Sequence, residues 1–119
     1  MFLSTLFSIL VFTGIAFELK INGNEFDESS TYSLSDMENL TFEIDNNLVQ
    51  SVAIEALLRR GSKAVIKTEF KFSKTGSKNL RKWLEPNFKK NDALIMKATV
   101  NYKTGKPIAE LFIFDKLTK

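Results

Sequence analysis

Residues 48–72 read LVQSVAIEALLRRGSKAVIKTEFKF, and the conformation of their first half decides the fold. Val49, Val52, Ala53, Ala56 and Leu57 recur at the spacing of one helical face. Val52, Ile54, Ala56 and Leu58 recur equally well at the period of two that lines one face of a strand. Spacing alone therefore leaves residues 48–60 open between helix and strand. The second half is less ambiguous. After the turn Arg59-Arg60-Gly61-Ser62-Lys63, Ala64, Ile66, Thr68, Phe70 and Phe72 alternate with Val65, Lys67, Glu69 and Lys71. A strand this long needs partners for its backbone N–H and C=O groups, and the segment just before the turn is the nearest supplier. The expectation is a hairpin.

Towards the C-terminus, residues 77–85 read as one short helix. Ser77 after Gly76 suits an N-cap, Leu80, Trp83 and Leu84 share a face, and Pro86 stops the helix. Phe88 packs just beyond, and Lys89-Lys90-Asn91-Asp92 is a polar turn. Leu94, Met96, Ala98, Val100 and Tyr102 then alternate with Ile95, Lys97, Thr99 and Asn101, which predicts a strand. The turn from Lys103 to Pro107 returns the chain through Ile108 to Phe114. That stretch is apolar on both faces, which predicts a strand interior to a sheet.

Towards the N-terminus, Leu40, Phe42 and Ile44 alternate with Thr41, Glu43 and Asp45, a strand stopped by Asn46-Asn47. A single turn is expected around Leu34 to Glu38, after a polar loop from Asp27 to Ser33. Phe17, Leu19 and Ile21 alternate with Glu18 and Lys20, and Asn22-Gly23 signals a tight turn before Glu25-Phe26. The first 16 residues, MFLSTLFSILVFTGIA, contain no charged side chain. The apolar run is too short to span a membrane and suits a signal peptide, with Gly14 and Ala16 as small residues before a cut after Ala16. No Lys or Arg precedes the run, and an uncleaved anchor or a hydrophobic first strand is the alternative. The expected architecture is a leader over residues 1–16 and one mostly β domain over 17–119. That domain is an antiparallel, immunoglobulin-like β-sandwich of six to seven strands with one short helix at about 77–85.

Composition narrows the chemistry. Among 119 residues there is no cysteine and no histidine, which excludes disulfides, thiolate nucleophiles, imidazole bases and zinc held by either residue. A lipid anchor on cysteine is excluded too. The paired acids Asp27-Glu28 and Glu43/Asp45 lack the spacing of a calcium loop and read as solvated carboxylates. Any Ser-Lys dyad could be drawn only arbitrarily, so no catalytic residue, metal ligand or cofactor is assigned. Asn39-Leu40-Thr41 matches a glycosylation sequon, relevant only in a eukaryotic host.

Charge is segregated behind a formal net value of +3. Residues 18–55 carry nine acidic side chains against Lys20, whereas residues 59–90 carry eleven basic ones against Glu69 and Glu85. Separate poles would steer association with an oppositely charged surface; mutual neutralisation within the fold is the bland alternative. The contact surface expected from this polarity comprises Lys74, Lys78, Arg81, Lys82, Lys89 and Lys90. Nucleic acid is not expected as a partner, because Trp83, Phe70 and Phe72 fall on buried registers and offer no stacking platform.

Over residues 40–117 the order is a strand ending in paired polar residues (LTFEIDNN), the long hairpin across a glycine turn (VAIEALLRRGSKAVIKTEFKF) and a short helix (SKNLRKWLEP). A strand follows (KKNDALIMKATVNY), then a glycine turn and a last strand (KTGKPIAELFIF). This pattern, with FELKINGNEF ahead of it, resembles the C-terminal β-domain of gliding-motility and type IX secretion motor proteins of the Bacteroidetes cell envelope. The family's membrane-spanning N-terminus, helical domain and tandem β-domains have no counterpart here. The resemblance implies a periplasmic, non-catalytic module that contacts other envelope proteins.

The functional expectation is an exported, non-enzymatic protein–protein interaction or structural module, periplasmic or secreted, with no stable membrane span once the leader is removed. Its partner would be a protein with an acidic surface, or a second copy. The alternative is a small-molecule or glycan binder using a pocket near Trp83 and Tyr102.

Overall fold

The ambiguous segment is a strand. In the computed structural model, which describes residues 16–119, β4 (Val49–Arg60) lies between β5 (Lys63–Phe72) and β7 (Ala93–Tyr102) and pairs antiparallel with both. Val52, Ile54, Ala56 and Leu58 are buried, while Glu55 and Arg59 face solvent. Pairing on both sides satisfies the whole run of backbone groups, and a lone amphipathic helix could not have offered β5 a partner. The β4–β5 turn is Gly61-Ser62, with Gly61 at φ 63°, a conformation favoured by glycine and suited to the first position of a type II′ turn.

Two four-stranded antiparallel sheets form the sandwich. The smaller comprises β1 (Phe17–Ile21), β2 (Asn24–Glu25), β3 (Leu40–Ile44) and β6 (Gly76–Lys78), in the order β2-β1-β3-β6. The larger runs β5-β4-β7-β8, with β8 spanning Ile108–Phe114. The β1–β2 turn is the expected Asn22-Gly23. Both residues have positive φ (54° and 83°), as a type I′ hairpin requires. The expected single turn is a 3-10 turn over Leu34–Glu38, and the Asp36 carboxylate accepts from the Ser33 backbone N–H at 2.8 Å at its start.

The core lies between the sheets. Phe17, Leu19 and Ile21 of β1 and Leu40, Phe42 and Ile44 of β3 point inward against Val52, Ile54, Ala56 and Leu58 of β4 and Leu94, Met96, Ala98 and Val100 of β7. Phe42 is fully buried and sits 5.2 Å from the Phe72 ring, 5.7 Å from Phe70 and 6.4 Å from Phe17. A second aromatic nest, Phe26, Tyr32, Phe112 and Phe114, closes the β8 side, with Phe26 5.0 Å from Phe114 and 5.4 Å from Phe112. Burial of these rings is the main favourable term of the fold.

Three expectations are corrected. The helix is one turn, α1 (Arg81–Leu84), because residues 76–78 form β6 and cover the free edge of β3 instead. Gly76 makes that edge possible: a Cβ there would stand 2.5 Å from the Phe72 ring. The backbone N–H of Arg81 donates to the Asn79 side chain at 3.0 Å, so Asn79 and not Ser77 satisfies the helix start. Among the described residues strands number eight, because two very short ones, β2 and β6, complete the smaller sheet. Finally, β8 ends the larger sheet and is not interior to it.

Candidate functional site

Solvent-facing side chains of the larger sheet fall into rows fixed by its register. One row reads Lys67, Leu57, Ile95, Ile113 across β5, β4, β7 and β8; the next reads Glu69, Glu55, Lys97, Leu111; a third reads Lys71, Ala53, Thr99, Ala109. Charge therefore collects at the β5 side and apolar surface at the β8 side. Leu57, Ile95 and Ile113 are half-buried in contact across the strands, and Leu111 beside them is 61% exposed. Ile108, at the start of β8, is 54% exposed. Among the described residues no strand pairs with the far side of β8. Scattered exposed leucines are ordinary; here the apolar side chains are contiguous and end on an edge strand that has no partner among the described residues.

This surface explains the misread strand. Ile108–Phe114 is apolar on both faces, and such a run reads as a strand covered on both sides. Here one face packs on the core through Phe112 and Phe114, and the other is presented to solvent. Sequence carries the apolar signal, but only the strand order shows that the second face is uncovered.

Beneath the open half of β8 runs a groove of about 250 Å³, lined by Phe17, Glu18, Leu19, Glu25, Phe26, Glu110 and Phe112. The Glu18 carboxyl is held above its ordinary value, chiefly by its hydrogen bond with Glu25 and then by burial. Burial likewise raises Glu110. Glu18 also stands directly across from Glu43 in the β1–β3 register, and Lys20 reaches Glu43 at 3.3 Å. Glu18 and Glu43 thus stand together on the outer face of the smaller sheet.

The basic residues singled out in the sequence lie in successive elements, from the β5–β6 turn to the loop before β7. Lys74 lies in the turn from β5 to β6, where the Thr75 hydroxyl accepts from the Ile44 N–H at 2.9 Å and Asn46 donates to the Ser73 carbonyl at 2.7 Å. Lys78 ends β6, and its ammonium lies 5.0 Å from the centre of the Phe70 ring, a cation–π contact. Arg81 is engaged internally, at 3.0 Å from Glu38 and 3.2 Å from Glu85, and these partners hold its guanidinium pKa up. Lys82 is exposed on α1, and Lys89 and Lys90 follow in the loop. That loop is pinned by Asp92, whose buried carboxylate accepts from Arg60 at 2.9 and 2.7 Å and from the Lys89 N–H at 2.9 Å. Arg60 above all keeps Asp92 below the usual carboxylate range.

Trp83 and Tyr102 are not brought together. Trp83 belongs to α1, which hands the chain to the Ala93 end of β7, and Tyr102 lies at the other end of that strand, roughly 30 Å away at 3.3 Å per residue. Trp83 instead packs partly buried against the core. The larger groove near α1, about 710 Å³, is lined by Thr31, Phe88, Lys90, Asn91 and the segment from Asp115 to Lys119. The leader expected over residues 1–16 lies almost wholly outside the described residues; its last member, Ala16, is buried, and its carbonyl accepts from the Asp45 N–H at 2.8 Å. Among the described residues no helix is long and apolar enough to cross a membrane. Nor does any group of three or more acidic side chains there have the geometry to hold a metal ion. The chain matches no protein-family model, no curated protein and no solved structure, so its resemblance to the motor-protein β-domain remains a likeness of strand and turn pattern.

Proposed function

We propose that this domain is an exported, non-enzymatic module of the cell envelope that works by protein–protein contact. The observation that carries this reading is the apolar row Leu57, Ile95 and Ile113, flanked by Leu111 and ending on the unpaired edge of β8. An interface needs apolar surface that can be desolvated, a polar rim and groups left unpaired in the free protein, and this side of the sandwich supplies all three. The cations Lys74, Lys78, Lys82, Lys89 and Lys90, with Arg81 tied among them, act at longer range by steering an acidic partner.

Export is supported by the uncharged leader. Removal of residues 1–16 would leave the Phe17 ammonium beside a groove lined by Glu18, Glu43 and Asp45, where a new positive charge is favoured. The absence of histidine and cysteine supports a role without covalent or acid–base chemistry.

Two variants of the tagged protein test this reading in pull-downs from its native envelope. Leu111→Lys is expected to abolish recovery of the partner. The triple reversal Lys78→Glu, Lys82→Glu, Lys90→Glu is expected to weaken recovery and flatten its salt dependence. Unchanged partners in both variants would overturn the proposal.

A further inference from the structure

The unpaired edge of β8 has a chemistry of its own, and what it accepts can be read from the two faces beside it. The inference rests on the contact role proposed above and names the occupant. Over Ile108–Leu111 the backbone groups on the side away from β7 have no strand partner among the described residues, whereas Phe112 and Phe114 are buried by the aromatic nest. A strand added here would be short, about four residues, and would continue the sheet β5-β4-β7-β8 by one member.

Side chains of an added strand alternate between the two faces. On the solvent face they meet Leu111 and, beyond it, Ile113 and Ile95. On the inner side they enter the groove where Glu18, Glu25 and Glu110 stand among the rings of Phe17, Phe26 and Phe112. Lys20 stands across from Glu25 in the β1–β2 register, and its ammonium lies 3.3 Å from the Glu43 carboxylate. Among the described residues no salt bridge engages Glu18, Glu25 or Glu110, and a cation arriving there gains both their charge and the faces of the rings.

We propose that β8 receives an extended peptide segment of a partner protein by strand addition, one in which Lys or Arg alternates with apolar residues, the cations lying over Glu18, Glu25 and Glu110 and the apolar side chains over Leu111. An acidic or uniformly apolar strand is rejected by the groove, and a proline within the segment breaks the backbone pairing.

The test uses the purified full chain and fluorescein-labelled octapeptides, with binding read by anisotropy. A (Lys-Val)4 peptide is expected to bind at least tenfold more tightly than (Glu-Val)4, and than a (Lys-Val)4 peptide carrying proline at its fourth position. Glu25→Gln with Glu110→Gln is expected to reduce (Lys-Val)4 binding about tenfold and to lower its salt dependence, with the thermal midpoint preserved. Equal binding of the basic and acidic peptides, or indifference to proline, would refute strand addition by a basic segment. Concentration-dependent dimerisation of the chain without peptide, abolished by Leu111→Lys, would assign the edge to a second copy and overturn the proposal. Loss of the native partner on Leu111→Lys together with failure of (Lys-Val)4 to bind would leave the contact role standing and refute this occupant alone.

Discussion

β5 and β8 terminate the same four-stranded sheet, yet β5 turns Lys67, Glu69 and Lys71 towards solvent while β8 turns Ala109, Leu111 and Ile113 there. The difference extends below the surface. Under β5 the inward Phe72 stacks on the fully buried Phe42 and Phe70 meets it edge-on, while Lys78 of the neighbouring β6 covers the Phe70 ring. Under β8 the aromatic nest holds only the second half of the strand, and the first half overlies a groove of carboxylates. Lysines on an edge strand oppose pairing with other chains; β5 carries two on its solvent face and β8 none there, its one charged residue being Glu110 on the inner register. The two ends of the sheet therefore differ in what they show to solvent, charge at β5 and apolar side chains at β8.

The strongest way to break this comparison is to empty the two aromatic clusters. Phe42→Ala is expected to destabilise the domain by about 4 kcal/mol in urea denaturation, the usual range for a fully buried phenylalanine. Phe26→Ala, at a partly buried ring in the β8 nest, should cost roughly 2 kcal/mol. Equal losses would mean that both edges are anchored alike.

A smaller effect separates the ends of the molecule by pH. Asp92→Asn is expected to cost about 2 kcal/mol at neutral pH, because Arg60 and the Lys89 N–H lose their charged acceptor. With the Asp92 pKa depressed, its stabilisation is present above the ordinary value of 3.8 and is lost as pH falls through and below it. Glu18 has the opposite sign. Its raised pKa makes the ionised form a burden at neutral pH, relieved as pH falls from the raised value towards 4.5. Stability should therefore rise slightly on mild acidification and then collapse; because burial raises Glu110 as well, Glu18→Gln with Glu110→Gln should remove the rise while leaving the collapse. A profile that falls monotonically from neutrality in the unaltered protein would contradict this reading of the groove.

The least costly change in folding free energy sharpens the edge comparison most directly. Replacing Lys67 and Lys71 of β5 by Thr should alter stability by less than about 0.5 kcal/mol. It should nevertheless promote concentration-dependent self-association in sedimentation velocity, since β5 would then lack the charges that β8 lacks already. A variant that stays monomeric at high concentration would show that these lysines do not guard the edge.

Much of the fold was legible from alternation and turn chemistry. Phe17 to Ile21 and Leu40 to Ile44 alternate so regularly that the buried face of each strand follows directly, Ile66 to Phe72 alternate between half-buried and exposed, and Asn22-Gly23 and Gly61 name their turns. The basic side chains were legible as charge, but their pairing was not. Glu38 lies 43 positions from Arg81, and nothing local in the chain links them.

Sequence by itself determined the inward faces, the hairpins, the want of cysteine and histidine and the two blocks of opposite charge, because each depends on residue type or on spacing within a few positions. Tertiary structure alone decided that Gly76–Lys78 would cover β3 and not start a helix, and that β8 would be an edge. It also decided that Trp83 and Tyr102 would stand far apart. Those outcomes depend on which strand lies beside which, a matter of long-range backbone pairing and packing that no short window of the chain contains.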